Sequence, residues 1–437
     1  MPYGARTADL TNLTYWLMDQ HHGPVKAMMV AFNNEDFFFD EGEFARKIET
    51  KLDGGGGFIY PLRTSRHASW GSRGEGQTLP SPKVGEKQRL RGTMRFHSQQ
   101  YDFEGLAQAR SRLDKYAYED AYTDAVVEIA QDFSAFCSDA MWRDGTGMIS
   151  RINDATPQGA AAVVIDDDFT TGSGETWGTN HLYPFMDLAV WDGAVAKASL
   201  ADVNNRDAGG EREIASVDSA TQITLDSAFA GAVADNDWIS WSVDRANAQV
   251  PAEMTGMLAH INNTGTVHNV NKANSTWFRS YVTGTAGAGT AFSLEDVDTH
   301  LRNIASRVGT KRFSREKTYL VCRPAMASRI WRETQDNTRY RSEDLGKQVG
   351  WSSFAFTRFK KRVEVIEAEH CGAGNLWYIT PSSFGIHQSF APKILDEDGQ
   401  TIRNISRRYA FGLMYGWDCE AVCYNPLFNG VAKGYAE

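Results

Sequence analysis

The sequence shows no long hydrophobic run and no pattern typical of a secretory leader. None of its stretches approaches the roughly eighteen consecutive apolar residues of a membrane-spanning helix. Its N-terminus, Met1-Pro2-Tyr3-Gly4, lacks the charged and then apolar segments of a signal peptide. We therefore expect a soluble protein that is made in a cytosol and has no membrane partner.

Cysteine is scarce and unpatterned. The five residues are odd in number and show no Cys-x-x-Cys spacing: Cys137, Cys322, Cys371, Cys419 and Cys423. Cys419 and Cys423 share one face of a predicted strand, but four residues of strand separate them by roughly 13 Å. That distance is too long for a disulfide. We expect small core residues in a reducing compartment.

The sequence also lacks a recognisable catalytic or metal-binding constellation. Asp166–Asp168 has the residue type of a cation site but not the loop of a calcium site, so a solvated turn is favoured. His21-His22 and Glu369-His370-Cys371 have no spaced partner. Gly284–Gly289 lacks the lysine of a phosphate loop and is interpreted as a connection. We predict no enzymatic activity, no cofactor and no metal.

What the sequence does have is a segment whose charge is opposite to that of the rest. Phe58–His97 carries +6, whereas the chain carries −10. Its bases are Arg63, Arg66, Arg73, Lys83, Lys87, Arg89, Arg91 and Arg95. The middle, Trp70–Pro82, is too rich in Gly, Ser and Pro to pack a core. The flanks are typical of strands.

In the returning flank, Leu90, Gly92, Met94 and Phe96 alternate with Arg89, Arg91, Thr93 and Arg95. This period of two predicts one apolar and one basic face. An isolated two-stranded finger is marginal in water, so we expect it to lie on another surface. An acidic copy of the same chain suits a basic finger.

Helices and strands are predicted on both sides of the finger. A short helix is expected near Glu41–Leu52, and a long one over Tyr118–Trp142, with a buried stripe of Tyr122, Val126, Ile129, Phe133, Phe136 and Ala140. Residues 163–244 show short alternating segments, at 161–165, 186–191, 222–225 and 238–243, which predict a small antiparallel β-domain. Fifteen acids and three bases give that segment a charge of −12.

The remaining third of the chain is mixed. Ser293 and Asp296 have the spacing of a capping box, and Val297, Leu301, Ile304 and Val308 form the apolar face of the helix that follows. A strand is predicted at Thr318–Cys322 and a helix at Pro324–Glu333. Tyr409–Cys423 has an apolar residue at every odd position and small residues opposite, which is typical of a closely approached central strand.

The order of these segments resembles the major capsid proteins of tailed bacteriophages with the Hong Kong 97-type shell fold. The residues that carry the resemblance are Pro61–Arg66, Trp142–Gly147 and Glu253–Leu258. It implies an α+β fold with an N-terminal arm, an extended two-stranded loop, a spine helix, peripheral and axial domains and an inserted β-domain. The expected boundaries are 1–57 for the arm, 58–103 for the extended loop, 104–162 for the spine helix and first peripheral part, 163–244 for the insertion, 245–357 for the axial domain and 358–437 for the peripheral strands.

The resemblance implies a structural subunit that assembles into pentamers and hexamers of an icosahedral phage head around double-stranded DNA, without sequence-specific binding. The eight bases of the finger are then intersubunit contacts. It also implies a separate scaffolding protein, a portal, a decoration protein as an optional partner, and assembly in the bacterial host cytoplasm. A crosslink between Lys83 or Lys87 and Asn425 or Asn429 is conceivable, but noncovalent assembly is favoured.

Two other functions stay open from the sequence. An encapsulin-like nanocompartment shell has the same fold, although its subunits are usually shorter and lack a β-insertion. A β-rich carbohydrate-active enzyme or adhesin would explain twelve tryptophans and the acidic β-segment. The missing signal peptide and the unpaired cysteines oppose that reading.

Overall fold

The computed structural model describes residues 38, 48–49, 57–63, 67, 71–72, 75, 78, 81, 85–104, 129–130, 132–169, 175–201, 204–207, 212–229, 231–242, 250–338, 355–358, 361–395, 402–404 and 410–437. Within them the chain forms two compact units. The first is Met1–Phe58, Thr93–Met141 and Gly385–Ala421, and the second is Ile59–Gly92, Trp142–Phe384 and Val422–Glu437.

The described strands are β1 (Ile48–Glu49), β2 (Gly57–Arg63), β3 (Lys87–Thr93), β4 (Arg95–Glu104), β5 (Met148–Arg151), β6 (Ala162–Val164), β7 (Asp187–Trp191), β8 (Arg212–Ser219), β9 (Gln222–Leu225), β10 (Trp238–Trp241), β11 (Thr266–Val267), β12 (Val270–Asn271), β13 (Tyr281–Gly284), β14 (Thr318–Cys322), β15 (Ala355–Arg358), β16 (Lys361–Glu367), β17 (Leu376–Ile379), β18 (Phe384–Ile394), β19 (Ile402–Asn404), β20 (Ala410–Cys423) and β21 (Gly430–Lys433). The described α-helices are α1 (129–130 and 132–142), α2 (Met257–His260), α3 (Leu294–Val308), α4 (Thr310–Phe313) and α5 (Pro324–Thr338).

The first unit is built on a five-stranded sheet in which β20 is central. The order is β1-β18-β20-β19, and β4 also pairs with β20. Tyr415, Trp417 and Cys419 on the odd face of β20 are fully buried. On the other face, a Cβ added to Gly416 would lie 3.0–3.1 Å from atoms of Phe96 and Leu395. The predicted central strand, closely approached on its second face, is confirmed.

Two expectations for the first unit need correction. Ile48–Glu49, inside the predicted helix of 41–52, is a strand that pairs in parallel with β18. A sheet edge that offers unpaired main-chain groups overrides a weak helical stripe. Helix α1 ends at Trp142, as predicted, but Phe136 of its expected buried stripe is 37% exposed. Tyr122 and Val126 of the stripe lie outside the described residues.

The second unit contains the predicted antiparallel β-domain. Its sheet has the order β5-β10-β7-β8-β9-β6. The four predicted strands correspond to β6, β7, β9 and β10, whereas β5 and β8 were not predicted. Strand β5 pairs with β10, so the sheet begins at Met148, before the expected start of the insertion at residue 163.

The same unit contains a six-stranded mixed sheet covered by two helices. Its order is β13-β21-β17-β14-β16-β15, with parallel pairs β13–β21 and β14–β16. Helix α5 belongs to the crossover between the parallel strands β14 and β16, as parallel pairing requires. The core beneath α3 and α5 includes Leu301, Ile304, Ile330, Leu320 and Tyr378.

Local sequence signals define α3 well. The Ser293 Oγ accepts from the Glu295 N–H at 3.2 Å, and the Asp296 carboxylate accepts from the Ser293 N–H at 3.2 Å, which together satisfy donors that a helix start leaves open. Gly309, with φ of 96°, ends the helix. Val297 is buried on the predicted apolar face. None of the described helices is both long and apolar enough to cross a membrane.

Candidate intersubunit surface

The flanks of the basic segment form the two-stranded sheet β2–β3. In β3, Leu90 and Gly92 are buried while Lys87, Arg89 and Arg91 are exposed. In β2, Phe58 is buried and Tyr60 and Leu62 are partly buried, while the alternate residues Ile59, Pro61 and Arg63 are exposed. The ribbon therefore has an inner apolar face and an outer face that combines four bases with two apolar side chains, as the period-two pattern of β3 predicts.

The ribbon is held at its base. The Arg91 N–H donates to the His268 carbonyl oxygen at 3.1 Å, at the tip of the β11–β12 hairpin. The ring of Tyr60 meets Tyr424 edge-on, with 5.3 Å between centroids. In the first unit, Phe58 stacks on His387 at 4.6 Å. The contacts of Arg91 and Tyr60, which lie within the second unit, stabilise a two-stranded element that would be marginal by itself.

Between β2 and β3, every described residue except Gly85 is exposed to solvent. His67, Ser72, Glu75, Thr78 and Ser81 are all exposed. The two sides of the loop meet where the Gly85 N–H donates to the His67 Nδ1 at 2.9 Å. Residues 68–84 therefore close a loop whose ends are in contact, and its described residues add nothing to the buried core.

The predicted contact residues have three different outcomes. Arg63, Lys87, Arg89 and Arg91 lie on the outer face of the ribbon. Arg95 is half-buried in β4, opposite Cys419 of β20, and so belongs to a different sheet. Arg66, Arg73 and Lys83 lie outside the described residues. Whether these residues contact another subunit stays a prediction.

One part of the predicted pattern is wrong. Phe96, expected on the buried face with Leu90, is 51% exposed. The chain leaves the ribbon at Met94 and enters β4, which pairs with β20 along Arg95–Glu104. Because the chain joins a different sheet after Met94, a different set of side chains faces inward. A period-two pattern continued past Met94 therefore assigns Phe96 to the wrong face.

Within the second unit, a buried ion pair joins Arg143 to Glu253. Arg143 donates from Nε to Glu253 Oε2 at 2.8 Å and from Nη2 to Oε1 at 2.7 Å. The two side chains are 4% and 2% exposed. The Trp241 Nε1 donates to the same carboxylate at 2.5 Å. Paired, bidentate geometry is what allows two charges to be buried together.

His181 completes this cluster. Its Nδ1 lies 3.2 Å from Arg143 Nη1, and its ring stacks on Trp177 at 4.6 Å. Because the guanidinium only donates, we assign the proton of this imidazole to Nε2, which lies 3.2 Å from the His370 carbonyl oxygen. Sequence reasoning missed the whole cluster.

The ion pair brings together two segments that are distant in the sequence, Trp142–Gly147 and Glu253–Leu258. A Cβ on Gly145 would lie 3.0 Å from the Thr255 Cα, and one on Gly147 would lie 2.6 Å from the Pro251 ring. Both glycines have positive φ, 85° and 75°. The turn after α1 thus requires glycine for its conformation and for its closeness to residues 251–255.

Ion pairs and a close aromatic contact attach the β-domain to the mixed sheet. Asp168 pairs with Arg323 at 2.6 Å, and Lys433 pairs with Glu175. The Phe169 ring lies so close to Gly372 that an added Cβ would be 1.9 Å from it. The expectation of a solvated turn at Asp166–Asp168 is therefore wrong, because the side chain of Asp168 is only 5% exposed and Asp166 is buried.

Burial also changes the acidity of Asp168. Removal of its carboxylate from water raises its pKa to about 6, against the opposing effect of Arg323. The Asn180 Nδ2 donates to the Asp168 Oδ2 at 2.5 Å. Asp168 is a carboxyl group that titrates between mildly acidic and neutral pH.

Each base of the acidic β-domain is paired with an acid, two within the domain and one, Lys197, with Asp144 outside it. Arg206 lies 2.6 Å from Asp192, Arg212 lies 3.0 Å from Asp207, and Lys197 lies 3.5 Å from Asp144. These are the three bases counted in 163–244. With each base already beside an acid, the surplus of acids leaves the domain strongly negative towards any neighbour.

The weaker chemical motifs are structural where they are described. Cys371 is buried and donates to the Ala368 carbonyl oxygen, and burial raises the pKa of its thiol well above the usual value. Gly284–Gly289 leads from β13 towards the Ser293 cap, as expected. All five cysteines are buried thiols that form no disulfide. His21-His22 lies outside the described residues.

Asn429 is poorly placed for the crosslink that the sequence left open. It is fully buried, its Nδ2 donates to the Ser383 Oγ at 2.7 Å, and its Oδ1 accepts from the Thr380 N–H at 2.8 Å. An amide that is enclosed and bonded at both ends is inaccessible to a lysine of another subunit. Asn425 is partly buried.

No protein-family model matches the sequence, and no curated protein matches it. Among solved structures, the chain is similar to the capsid asymmetric unit of cyanophage A-1(L), with a TM-score of 0.52 and 11% identity over 90% of this chain and 91% of that one. An empty GTA particle capsid gives a TM-score of 0.45, with 10% identity over 92% and 99% of the two chains. The SrpI encapsulin from Synechococcus elongatus PCC 7942 gives 0.39, with 8% identity over 90% and 86%. The chain has the α+β Hong Kong 97-type capsid fold.

Proposed function

We propose that this chain is the structural subunit of a closed shell, the major capsid protein of a tailed bacteriophage head. Many copies assemble into pentamers and hexamers around double-stranded DNA in the host cytoplasm, with a separate scaffolding protein and a portal as partners. The observation that carries the proposal is the likeness of fold to a phage capsid subunit over nine-tenths of both chains.

The charge distribution supports this function. The chain carries −10 in total, although its finger carries +6. A shell that lets DNA be packed must not hold it, and lysine and arginine contacts to phosphate would do so. Bases concentrated on a projecting ribbon are instead suited to acidic neighbours of the same kind. The proposed role is assembly and enclosure, with no catalysis.

The finger provides the experiment. Residues 68–84 can be deleted with little strain, because His67 and Gly85 are already joined by a hydrogen bond of 2.9 Å. We expect the deletion to leave a folded subunit with normal circular dichroism that no longer forms stable shells in negative-stain images.

The matched control is Arg73→Ala, which keeps the loop length and removes one base. Exposed ion pairs contribute only about 0 to 1 kcal/mol each, so this variant should assemble normally. Shells of normal yield and size from the deletion variant would contradict the role of the finger in assembly.

A further inference from the structure

A second basic region lies at the end of helix α3 and in the residues that follow it. Residues 302–317 contain six bases and one acid, Glu316, in a chain that carries −10. The bases are Arg302, Arg307, Lys311, Arg312, Arg315 and Lys317. All of them are exposed except Arg307, which is partly buried. The chain therefore concentrates positive charge at a place other than the finger.

Arg307 lies beside another arginine. Its Nη2 donates to the Arg279 carbonyl oxygen at 2.9 Å. Burial lowers the pKa of the Arg307 guanidinium, and the neighbouring positive charge of Arg279 lowers it further. Two like charges are thus held near each other at a partly buried position, where salt screens their repulsion less than at an open surface.

A third arginine borders the turn on which Arg279 rests. The Arg312 guanidinium carbon lies 5.1 Å from the centroid of the Phe428 ring. Ser280, next to Arg279 in the chain, donates from its Oγ to the Pro426 carbonyl oxygen at 3.0 Å. Phe428 is only 4% exposed, so the turn at 426–428 is anchored in the core. Arg279 and Arg312 therefore border the same anchored turn.

The arginine cluster, defined as Arg279, Arg307 and Arg312, has no counter-charge within the described chain. No carboxylate of the described residues forms an ion pair with any of the three. A guanidinium presents its donors in a planar fork that matches the oxygens of a phosphate. The cluster is thus suited to a ligand that carries several negative charges on phosphoryl oxygens.

We propose that the arginine cluster binds a phosphate-type polyanion. Its phosphoryl oxygens belong to a free polyphosphate or to a nucleic-acid backbone, since the guanidinium fork recognises the same group in both. Binding offsets the repulsion between Arg279 and Arg307. The site goes beyond the proposed function, because it holds its ligand whether or not a shell assembles. One such cluster in each subunit leaves the acidic remainder free to repel DNA.

The test measures the binding of sodium tripolyphosphate to the purified full-length protein by isothermal titration calorimetry at physiological ionic strength. Arg279→Gln removes one charge of the pair but keeps the main-chain carbonyl that accepts from Arg307. We expect this variant to bind roughly tenfold more weakly, as the loss of a charge-assisted hydrogen bond does. Arg307→Lys keeps the charge without the planar fork and should also weaken binding.

The matched control is Arg302→Ala. Arg302 is an exposed base of the same helix, and its position five residues before Arg307 puts it on a different side of that helix. This variant should bind tripolyphosphate as tightly as the unmodified chain does. Equal losses of affinity from Arg302→Ala and Arg279→Gln would overturn the proposal, because they would show that only the total charge matters.

The unfolding temperature gives a second readout. Without the anion, Arg279→Gln should unfold at the same or a higher temperature than the unmodified chain, since one of two repelling charges is gone. With tripolyphosphate, the unfolding temperature of the unmodified chain should rise with anion concentration, and that of the variant should rise less. A purely structural role of Arg279 would lower the unfolding temperature of the variant and leave its affinity for tripolyphosphate unchanged.

A DNA duplex and a poly-glutamate peptide identify the source of the anion. Duplex binding that Arg279→Gln weakens and Arg302→Ala does not would assign the phosphates to a nucleic acid, whereas binding of tripolyphosphate alone would assign them to a free polyphosphate. Both results support the proposal. It is overturned if neither phosphate ligand binds, or if poly-glutamate binds more tightly than both. Shell formation is not measured, so failure of this site leaves the proposed function standing.

Discussion

Arg143 and Glu253 show how single residues fix the second unit. Two buried charges are tolerated because each satisfies the other, and Trp241 adds a third donor. The pair connects the turn after α1 with the segment that leads into α2. If either partner is removed, the other stays buried without its bidentate counter-charge.

We predict that Arg143→Met lowers the free energy of unfolding by roughly 3 to 5 kcal/mol, measured by urea-induced loss of tryptophan fluorescence. Arg362→Met is the matched control, because the Arg362–Glu364 pair is 55% and 39% exposed. It should cost less than about 1 kcal/mol. Equal effects of the two substitutions would contradict the structural role of the buried pair.

Asp168 makes stability depend on pH in an unusual direction. Its pKa is raised from 3.8 to about 6 in the folded chain, so the folded state binds the proton more tightly than the unfolded state. The stability that protonated Asp168 contributes to the folded state is fully present below pH 3.8 and is lost as pH rises through 6. His300 acts in the opposite sense, since burial lowers its pKa from 6.5 to about 3.

Because Asp168 and His300 change the stability in opposite directions as pH rises, we predict a difference between the melting temperatures of two chains. The melting temperature of Asp168→Asn minus that of the unmodified chain should become more positive between pH 4.5 and pH 7, as asparagine does not titrate. His300 is present in both chains and cancels. A difference that is constant over this range would mean that Asp168 is not protonated in the folded chain.

At the scale of elements, helix α3 is defined by its own sequence. We predict that Ser293→Ala, which removes the acceptor for the Glu295 N–H, costs about 0.5 to 2 kcal/mol of unfolding free energy. Ser306→Ala, in the same helix, removes an exposed hydroxyl and introduces a better helix former, so it should be neutral or slightly stabilising. Comparable losses from both variants would show that the cap is not the cause.

Elements with strong local signals were predictable from the sequence. Strands β9 and β14 have the predicted bounds, and α3 has its cap, its apolar face and its glycine end. In each case the signal lies within a few residues of the element. Strand β8 escaped prediction because polar and charged residues fill most of it and only Ile214 is fully buried.

The candidate surface was predictable only in part, for the same reason. Alternation in β3 correctly exposes Arg89 and Arg91, since a period of two acts within one strand. The contact of Arg143 with Glu253 joins residues 110 positions apart and has no local trace.

At the scale of the whole molecule, the chain combines one basic projection with a strongly acidic domain. A single exposed pair between such surfaces contributes little, about 0 to 1 kcal/mol. A closed symmetric assembly repeats each contact in every subunit, so weak contacts add up to a stable container.

The most direct test of a shell-forming subunit is electron microscopy of the purified, full-length protein at physiological ionic strength. Our account predicts closed particles whose shell is built from this chain, with a uniform diameter when the scaffolding protein is present. A protein that stays a monomer at every concentration, as shown by light scattering of the same samples, would contradict it.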